Sequence, residues 1–277
     1  MTITSIPEHL QIAFIGGGNM ASAILGGLVR QGMAPARIRV VEPFAETRAR
    51  LQQEFGVQVL EAADASLAQA DVVVWAVKPQ QFEEATRPVA PHTGKALHLS
   101  VAAGIPASAL ARWLGTERLV RAMPNTPALV GQGMTGLFAG AGASADDRSV
   151  IDALLAPTGQ RMWLEQEALI DSLMAISGSG PAYVFYFIEA LVRGGVELGL
   201  TAEQSKILAS QTFAGAAALV QGSSEAPEVL RQRVTSKGGT THEAIVTMQQ
   251  HGVEQAIVAA MHACAARGRE LADQFGG

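Results

Sequence analysis

Cysteine is nearly absent: Cys264 is the only one in 277 residues, so no intrachain disulfide can form and no Cys/His set has zinc-ligand spacing. That suits a reducing cytoplasm. Charge is sparse as well, at 16% of residues with a net charge of -5, and no basic run exists that would neutralise a line of phosphates. A small-molecule ligand is therefore expected rather than nucleic acid. Long uninterrupted apolar runs are missing too. The least charged stretches, 122–145 and 172–188, are broken by Gly and Pro, and the amino-terminal MTITSIPEHLQ lacks a basic segment followed by an apolar one. The expectation is a chain neither secreted nor membrane-spanning. Only four lysines occur, Lys78, Lys95, Lys206 and Lys237, and the six histidines are scattered, so no Ser/His/Asp or Cys/His constellation is recognisable.

Apolar residues, by contrast, make up 48% of the chain. That is more than a lone monomer comfortably hides, and it points to an oligomer. The length allows about two domains. Up to residue 165, short apolar strands alternate with helical patterns. Strands are expected at 10–15, 57–60, 71–77, 96–100, 118–123, 134–139 and 161–164, with helices near 47–55, 80–90, 106–114 and 145–156. The run DVVVWAV at 71–77 suits a strand buried on both faces. Such alternation implies a parallel, doubly wound sheet. From 166 onward, helical patterns take over near 182–199, 202–221, 226–234, 241–250 and 253–274, giving a second, all-helical domain. The first of these helices is apolar around most of its circumference and demands cover, from its own domain or from a partner subunit.

The most informative segment is residues 10–42, where Gly16-x-Gly18-x-x-Ala21 sits between an apolar strand and a helix marked by Met20, Ile24 and Leu28. Gly16 permits the tight turn, Gly18 lets the backbone approach a diphosphate, and Ala21 lets helix and strand pack closely. Glu42 ends the next strand, 21 residues past Ala21, where an acid meets the adenosine ribose. Gly16, Gly17, Gly18, Asn19, Met20, Ala21 and Glu42 are thus candidates to hold NADH or NADPH. A 2′-phosphate about 4 Å from Glu42 would cost about 4 kcal/mol per charge pair at an effective dielectric near 20, which favours NADH unless Arg39 or Arg48 offsets it.

Other strand ends also carry candidates, because ligands in open α/β sheets lie beyond them. At Ala76-Val77-Lys78-Pro79, Lys78 is placed to meet a ribose hydroxyl or phosphate, or simply caps a strand in solvent. At Met123-Pro124-Asn125-Thr126-Pro127, two prolines fix the backbone and leave the Asn125 amide and the Thr126 hydroxyl as candidate ligands, or form an ordinary rigid turn. In the second domain, Ser177-Gly178-Ser179-Gly180-Pro181 precedes the apolar helix, with proline suited to its first turn. Later, Val234-Thr235-Ser236-Lys237-Gly238-Gly239-Thr240-Thr241-His242-Glu243 reads as a helix start, with Thr240 and Glu243 forming a capping box. Its free amides suit a carboxylate, worth about 0.3–2 kcal/mol from the helix dipole, and the Thr241 hydroxyl is left to face a ligand. The plain alternative is a well-capped surface helix.

In this order, FIGGGNMA, AVKPQ, MPNTPA, SGSGPAYVF and VTSKGGTTHEA resemble pyrroline-5-carboxylate reductases over nearly the whole chain. The resemblance implies a Rossmann-type domain at 1–165 and a helical substrate-binding and dimerisation domain at 166–277. It implies reduction of 1-pyrroline-5-carboxylate to L-proline with NADPH or NADH, the last step of proline biosynthesis. It also implies an intertwined homodimer, often assembled further into a decamer. By the same resemblance, Gly16 to Ala21 hold the diphosphate and Ala76, Val77, Lys78, Pro79 and Asn125 line the nicotinamide side. Ser236, Gly238, Gly239, Thr240 and Thr241 hold the substrate carboxylate, with Thr241 facing the imine nitrogen and Thr240 beside it. The family's most frequent loop has proline where this chain has Lys237. No lysine lies in the helix after SGSGP, where related hydroxy-acid dehydrogenases place their acid. An iminium accepts hydride without such an acid. The rivals are a reductase of another small cyclic imine or carbonyl compound, and a non-catalytic NAD(P)-sensing module that would bind reduced cofactor without consuming it.

Overall fold

The computed structural model describes residues 6–7 and 9–276. The amino-terminal MTITS, part of the segment read above for targeting signals, lies outside the described residues, as do Glu8 and Gly277. Two compact units are present, 1–178 together with 265–277, and 179–264.

The first unit is built around eight strands: β1 (Ile12–Ile15), β2 (Ile38–Val41), β3 (Gln58–Leu60), β4 (Val72–Trp75), β5 (Leu97–Ser100), β6 (Leu119–Met123), β7 (Gly133–Ala139) and β8 (Gly159–Trp163). Between them run α1 (Asn19–Arg30), α2 (Ala45–Phe55), α3 (Pro79–Thr93), α4 (Ala107–Leu114) and α5 (Ala145–Leu155), followed after β8 by α6 (Leu169–Leu173). The sheet order is β3-β2-β1-β4-β5-β6-β7-β8. The direction of build-up reverses between β1 and β4, the place where such sheets open a ligand crevice. Both faces are buried. Along β1, Ile12 and Phe14 join one apolar cluster while Ala13 and Ile15 join the other, and along β4, Val72 and Val74 face Val73 and Trp75 in the same way. This is why these strands read as continuous apolar runs.

One junction departs from the expected all-parallel sheet: β7 runs antiparallel to β6, and β8 is again parallel to β7. Loop length explains it. Only residues 124–132 join β6 to β7, too few for the crossover that a parallel partner needs, whereas α4 and α5 supply full crossovers on either side.

His98 on β5 is buried among these strands. Trp75 Nε1 donates to its Nδ1 at 3.0 Å and its Nε2 lies 3.2 Å from the Thr93 carbonyl, an arrangement that fits one neutral tautomer. Burial drives its pKa from 6.5 down to about 4, against the opposing effect of the Thr93 carbonyl. The unfolded chain thus takes up this proton at a higher pH than the folded one. The stabilising contribution is complete above pH 6.5 and is lost as pH falls from there through about 4, amounting to about 3 kcal/mol over that window. Urea unfolding at a series of pH values should show this loss in the native chain and a much shallower one in His98→Asn. Parallel profiles would refute the assignment.

The second unit contains α7 (Gly180–Glu197), α8 (Ala202–Gln221), α9 (Pro227–Arg233), α10 (Thr240–Gln250) and the first half of α11 (Val253–Gly276), whose second half returns to the first unit. Pro181 occupies the first turn of α7, and Thr201 with Gln204 forms a complete capping box on α8. A π-helical turn at Met174–Gly178 bridges α6 to α7. The glycines and proline there therefore do not break the stretch as expected. Leu169–Glu197 has the length and apolarity of a membrane span, though it includes Asp171, Glu189, Arg193 and Glu197. No residue of α7 is buried, and Phe185 and Tyr186 are 58% and 72% exposed. Its own domain thus covers this helix only in part, on the side where Phe187 meets Phe213 of α8.

The compact division falls at Gly178, beyond the 165/166 boundary read from the strand pattern. Packing is the reason. Ile170 is buried, Leu173 lies against Gly136, and Leu271 of α11 lies against Gly104, so the first unit keeps α6 and recovers the chain's last helical turns.

Candidate functional site

A cleft of about 690 Å³ opens at the carboxyl ends of β1, β2 and β4, within the ordinary range for small-molecule sites. Its floor is the glycine loop. Gly16 has φ +93°, and a Cβ there would stand 2.6 Å from the Ala76 carbonyl oxygen, so the residue that turns the chain also lets β1 and β4 close together. At Gly17 a Cβ would run into Leu51 of α2. Gly18 differs: it lines the cleft, and a Cβ there would meet nothing within 4 Å. Gly18 is also the N-cap of α1 and makes no side-chain cap bond, and the helix has no acid in its first turn. The first amides of α1 therefore face the cleft's anion position unopposed. These features fit a dinucleotide diphosphate.

Of the residues expected to contact the cofactor, Gly16, Gly17, Gly18, Asn19, Glu42, Ala76, Val77 and Lys78 line this cleft. Met20, Ala21 and Pro79 do not line it. Ala21 is fully buried beneath it, Met20 packs on the same core, and Pro79 starts α3. Asn125 is also placed elsewhere. Its Oδ1 accepts from the Met134 amide at 2.9 Å and its Nδ2 donates to the Ser177 carbonyl at 3.0 Å, so the side chain staples the β6–β7 connection to the segment before α7.

Glu42 is nearly buried, at 6% exposure. Its Oε2 accepts from the Gly17 amide at 2.8 Å and its Oε1 from the Phe44 amide at 3.0 Å. Neither arginine considered above as an offset lines the cleft. Arg39 donates to Gln69, and Arg48 donates to the Glu42 and Pro43 carbonyls and pairs with Glu61. The cation that does line the cleft, beside Lys78, is Arg50, which donates to the Gly17 carbonyl at 3.0 Å and to Ser22 Oγ at 3.2 Å. Arg50 belongs to none of the motifs that mark this site in the sequence. Its signal is the i, i+3 spacing from Thr47, which puts both on the face of α2 turned to the glycine loop.

In the second unit, the loop before α10 corrects one expectation. Thr240 is not the cap but the first helical residue; extended Gly239 takes the cap position and makes no side-chain cap bond. Glu243 donates its amide to the Gly239 carbonyl, so the capping box is absent. The cause is the turn at 236–239, closed by the Gly239 amide on the Ser236 carbonyl with Gly238 at φ +73°, which delivers the chain into the helix one residue early. The amides of this first turn are left without side-chain competitors. Thr240 and Thr241 are both exposed, and neither hydroxyl is bonded among the described residues.

Fold and cleft together define a class, the Rossmann-type dinucleotide-binding proteins that carry a helical second domain. Two family models match the chain: NADP oxidoreductase, coenzyme F420-dependent, over residues 11–104, and pyrroline-5-carboxylate reductase dimerisation over residues 167–271. A pyrroline-5-carboxylate reductase of Pseudomonas aeruginosa is 45% identical over 96% of this chain and 98% of its own length. Among solved structures, a pyrroline-5-carboxylate reductase from Coxiella burnetii superposes with a TM-score of 0.89 at 36% identity, covering 95% of this chain and 98% of that one. The Plasmodium falciparum pyrroline carboxylate reductase with NADP bound gives 0.85 at 26% identity, covering 96% and 99%. The chain belongs to the pyrroline-5-carboxylate reductase family.

Proposed function

We propose that this chain reduces 1-pyrroline-5-carboxylate to L-proline, the final step of proline biosynthesis, as a soluble cytoplasmic homo-oligomer. The observation that carries the reading is near-full-length likeness to reductases of that name, in a chain that joins a dinucleotide cleft to a helix start with free amides and two free threonine hydroxyls. When bound, the reduced nicotinamide supplies hydride. The protein's own part is positioning. The turn Ser236–Gly239 and the first amides of α10 hold the substrate carboxylate, and Thr241 hydrogen-bonds the ring nitrogen and fixes which face of the C=N bond is presented. Hydride adds to C5, the C=N π pair moves to nitrogen, and the proton there is the one the iminium brings from solution. No strong enzymic acid is needed, in keeping with the absence of a lysine from α7.

The exposed apolar face of α7 supports a homodimer in which a second copy covers it, and Ile207, Leu208 and Leu219, exposed on α8, support assembly beyond the dimer into a decamer. Light scattering on the purified chain reads both. A monodisperse monomer at micromolar concentration would refute the assembly.

Loss of reduced-cofactor absorbance in the presence of pyrroline-5-carboxylate tests the reaction, and binding without turnover would favour the sensing module instead. Thr241→Ala should lower kcat by about tenfold or more, the worth of one well-placed hydrogen bond, with cofactor affinity unchanged and Thr241→Ser restoring most of the rate. An unchanged kcat would remove Thr241 from the site.

A further inference from the structure

Resting on the reading of the cleft as a nicotinamide dinucleotide site, we propose that the turn Glu42-Pro43-Phe44 makes this chain select NADH over NADPH. The two cofactors differ only at the adenosine 2′ position, which lies against the residue ending the second strand of such a sheet. Here that residue is a carboxylate fixed by two backbone amides, from Gly17 and Phe44. A carboxylate offers about four acceptor positions, so two remain for ribose hydroxyls. A 2′-hydroxyl brings the proton such an acceptor needs. A 2′-phosphate brings mainly negative charge and further acceptors.

The groups that would compensate a phosphate are engaged elsewhere. The Phe44 amide belongs to Glu42, and the Arg48 guanidinium is spent on the Glu42 and Pro43 carbonyls and on Glu61. Arg39 is bonded to Gln69. Phe44, 68% exposed in the cleft lining, brings neither a hydroxyl nor a cation to a phosphate, and its ring offers the adenosine an apolar edge. Arg50 points to the Gly17 carbonyl and Ser22 at the start of α1. This is the diphosphate end, common to both cofactors, so it helps them equally. The cleft lining carries Glu42, Glu61 and Glu84 against Arg50 and Lys78, and Arg48 outside the lining matches Glu61, so the cleft offers no positive surplus to an added dianion.

The test is equilibrium titration of the full-length protein, without substrate, with four probes: NADH, NADPH, ADP and adenosine 2′,5′-bisphosphate. The expected result is NADH binding about tenfold or more tighter than NADPH at low salt, with ADP favoured over the 2′,5′-bisphosphate in the same sense. The gap should shrink as salt screens the repulsion. Glu42→Gln should narrow the NADH:NADPH ratio about tenfold, and Phe44→Arg should narrow it independently by tightening NADPH alone. NADPH binding equal to or tighter than NADH in the native chain, or a ratio unmoved by both variants, overturns the proposal. Should Glu42→Gln fail to fold, the native ratio and Phe44→Arg decide alone. If neither cofactor binds, the cleft assignment falls, and selectivity falls with it. If NADH binds selectively but pyrroline-5-carboxylate is not reduced, the selectivity stands and the reaction assigned above fails.

Discussion

Gly18→Val is expected to weaken binding of reduced cofactor by about a hundredfold, some 2.7 kcal/mol, while lowering folding stability by less than about 1 kcal/mol. The asymmetry follows from where the side chain would go. Gly18 has φ -72° and ψ -170°, extended backbone open to any residue, and a Cβ there meets no protein atom within 4 Å. The space it enters is the cleft, over the free amides of α1, so the isopropyl group lifts a diphosphate off charge-assisted hydrogen bonds worth about 1.5–3 kcal/mol each. Gly16→Ala makes the contrast. Its φ of +93° and the 2.6 Å approach to the Ala76 carbonyl put the penalty into the fold, because the crossing of β1 and β4 must open. Calorimetric titration with NADH beside thermal unfolding separates the two. Native-like affinity in Gly18→Val would mean that the diphosphate does not rest on α1.

What the sequence made legible was local. The Gly16-x-Gly18-x-x-Ala21 turn, the doubly buried run at Val72–Trp75 and the helix over Ala202–Gln221 follow from periodicities and turn chemistry spanning a few residues, and the structure places them within a residue or two. The antiparallel β7 was also legible in principle, since the nine residues at 124–132 are too few for a crossover. Other features depend on partners far apart in the chain. Glu42 reads as a ribose acceptor by spacing, yet its bond to the Gly17 amide spans 25 positions, and the engagement of Arg48 with turn carbonyls is invisible to any pattern of residue types. Likewise Thr240 has the marks of an N-cap, because threonine followed by glutamate three residues on is the capping-box pattern. The turn at Gly238 and Gly239 shifted the helix start by one residue, and propensity does not report register.

Glu167→Ala is expected to destabilise the first unit by about 3–5 kcal/mol, and Glu167→Gln by distinctly less. Glu167 follows β8, yet its Oε1 accepts from Arg121 on β6 at 2.8 Å and from the Ala107 amide at the start of α4 at 2.6 Å. The Arg121 side chain is only 5% exposed. Removing the carboxylate strands a buried guanidinium and an orphaned helix-start amide at once, whereas a glutamine carbonyl oxygen in the place of Oε1 still accepts from both and gives up only the charge. The expected readout is a fall in the urea midpoint with an unchanged slope, since the exposed surface of the unfolded chain stays the same. A midpoint shift under 1 kcal/mol equivalent would show that solvent already screens the pair. The same contact explains why the boundary read from strand periodicity is not a place to cut. A chain ending at 165 would lose Glu167 together with buried Ile170, and with Leu173, which fills the space against Gly136. It would also lose 265–277, which the unit recovers from the far end of the sequence. No contiguous amino-terminal fragment carries the complete unit, so the dinucleotide domain is expected to fold stably only when the helical segment between its two pieces is present.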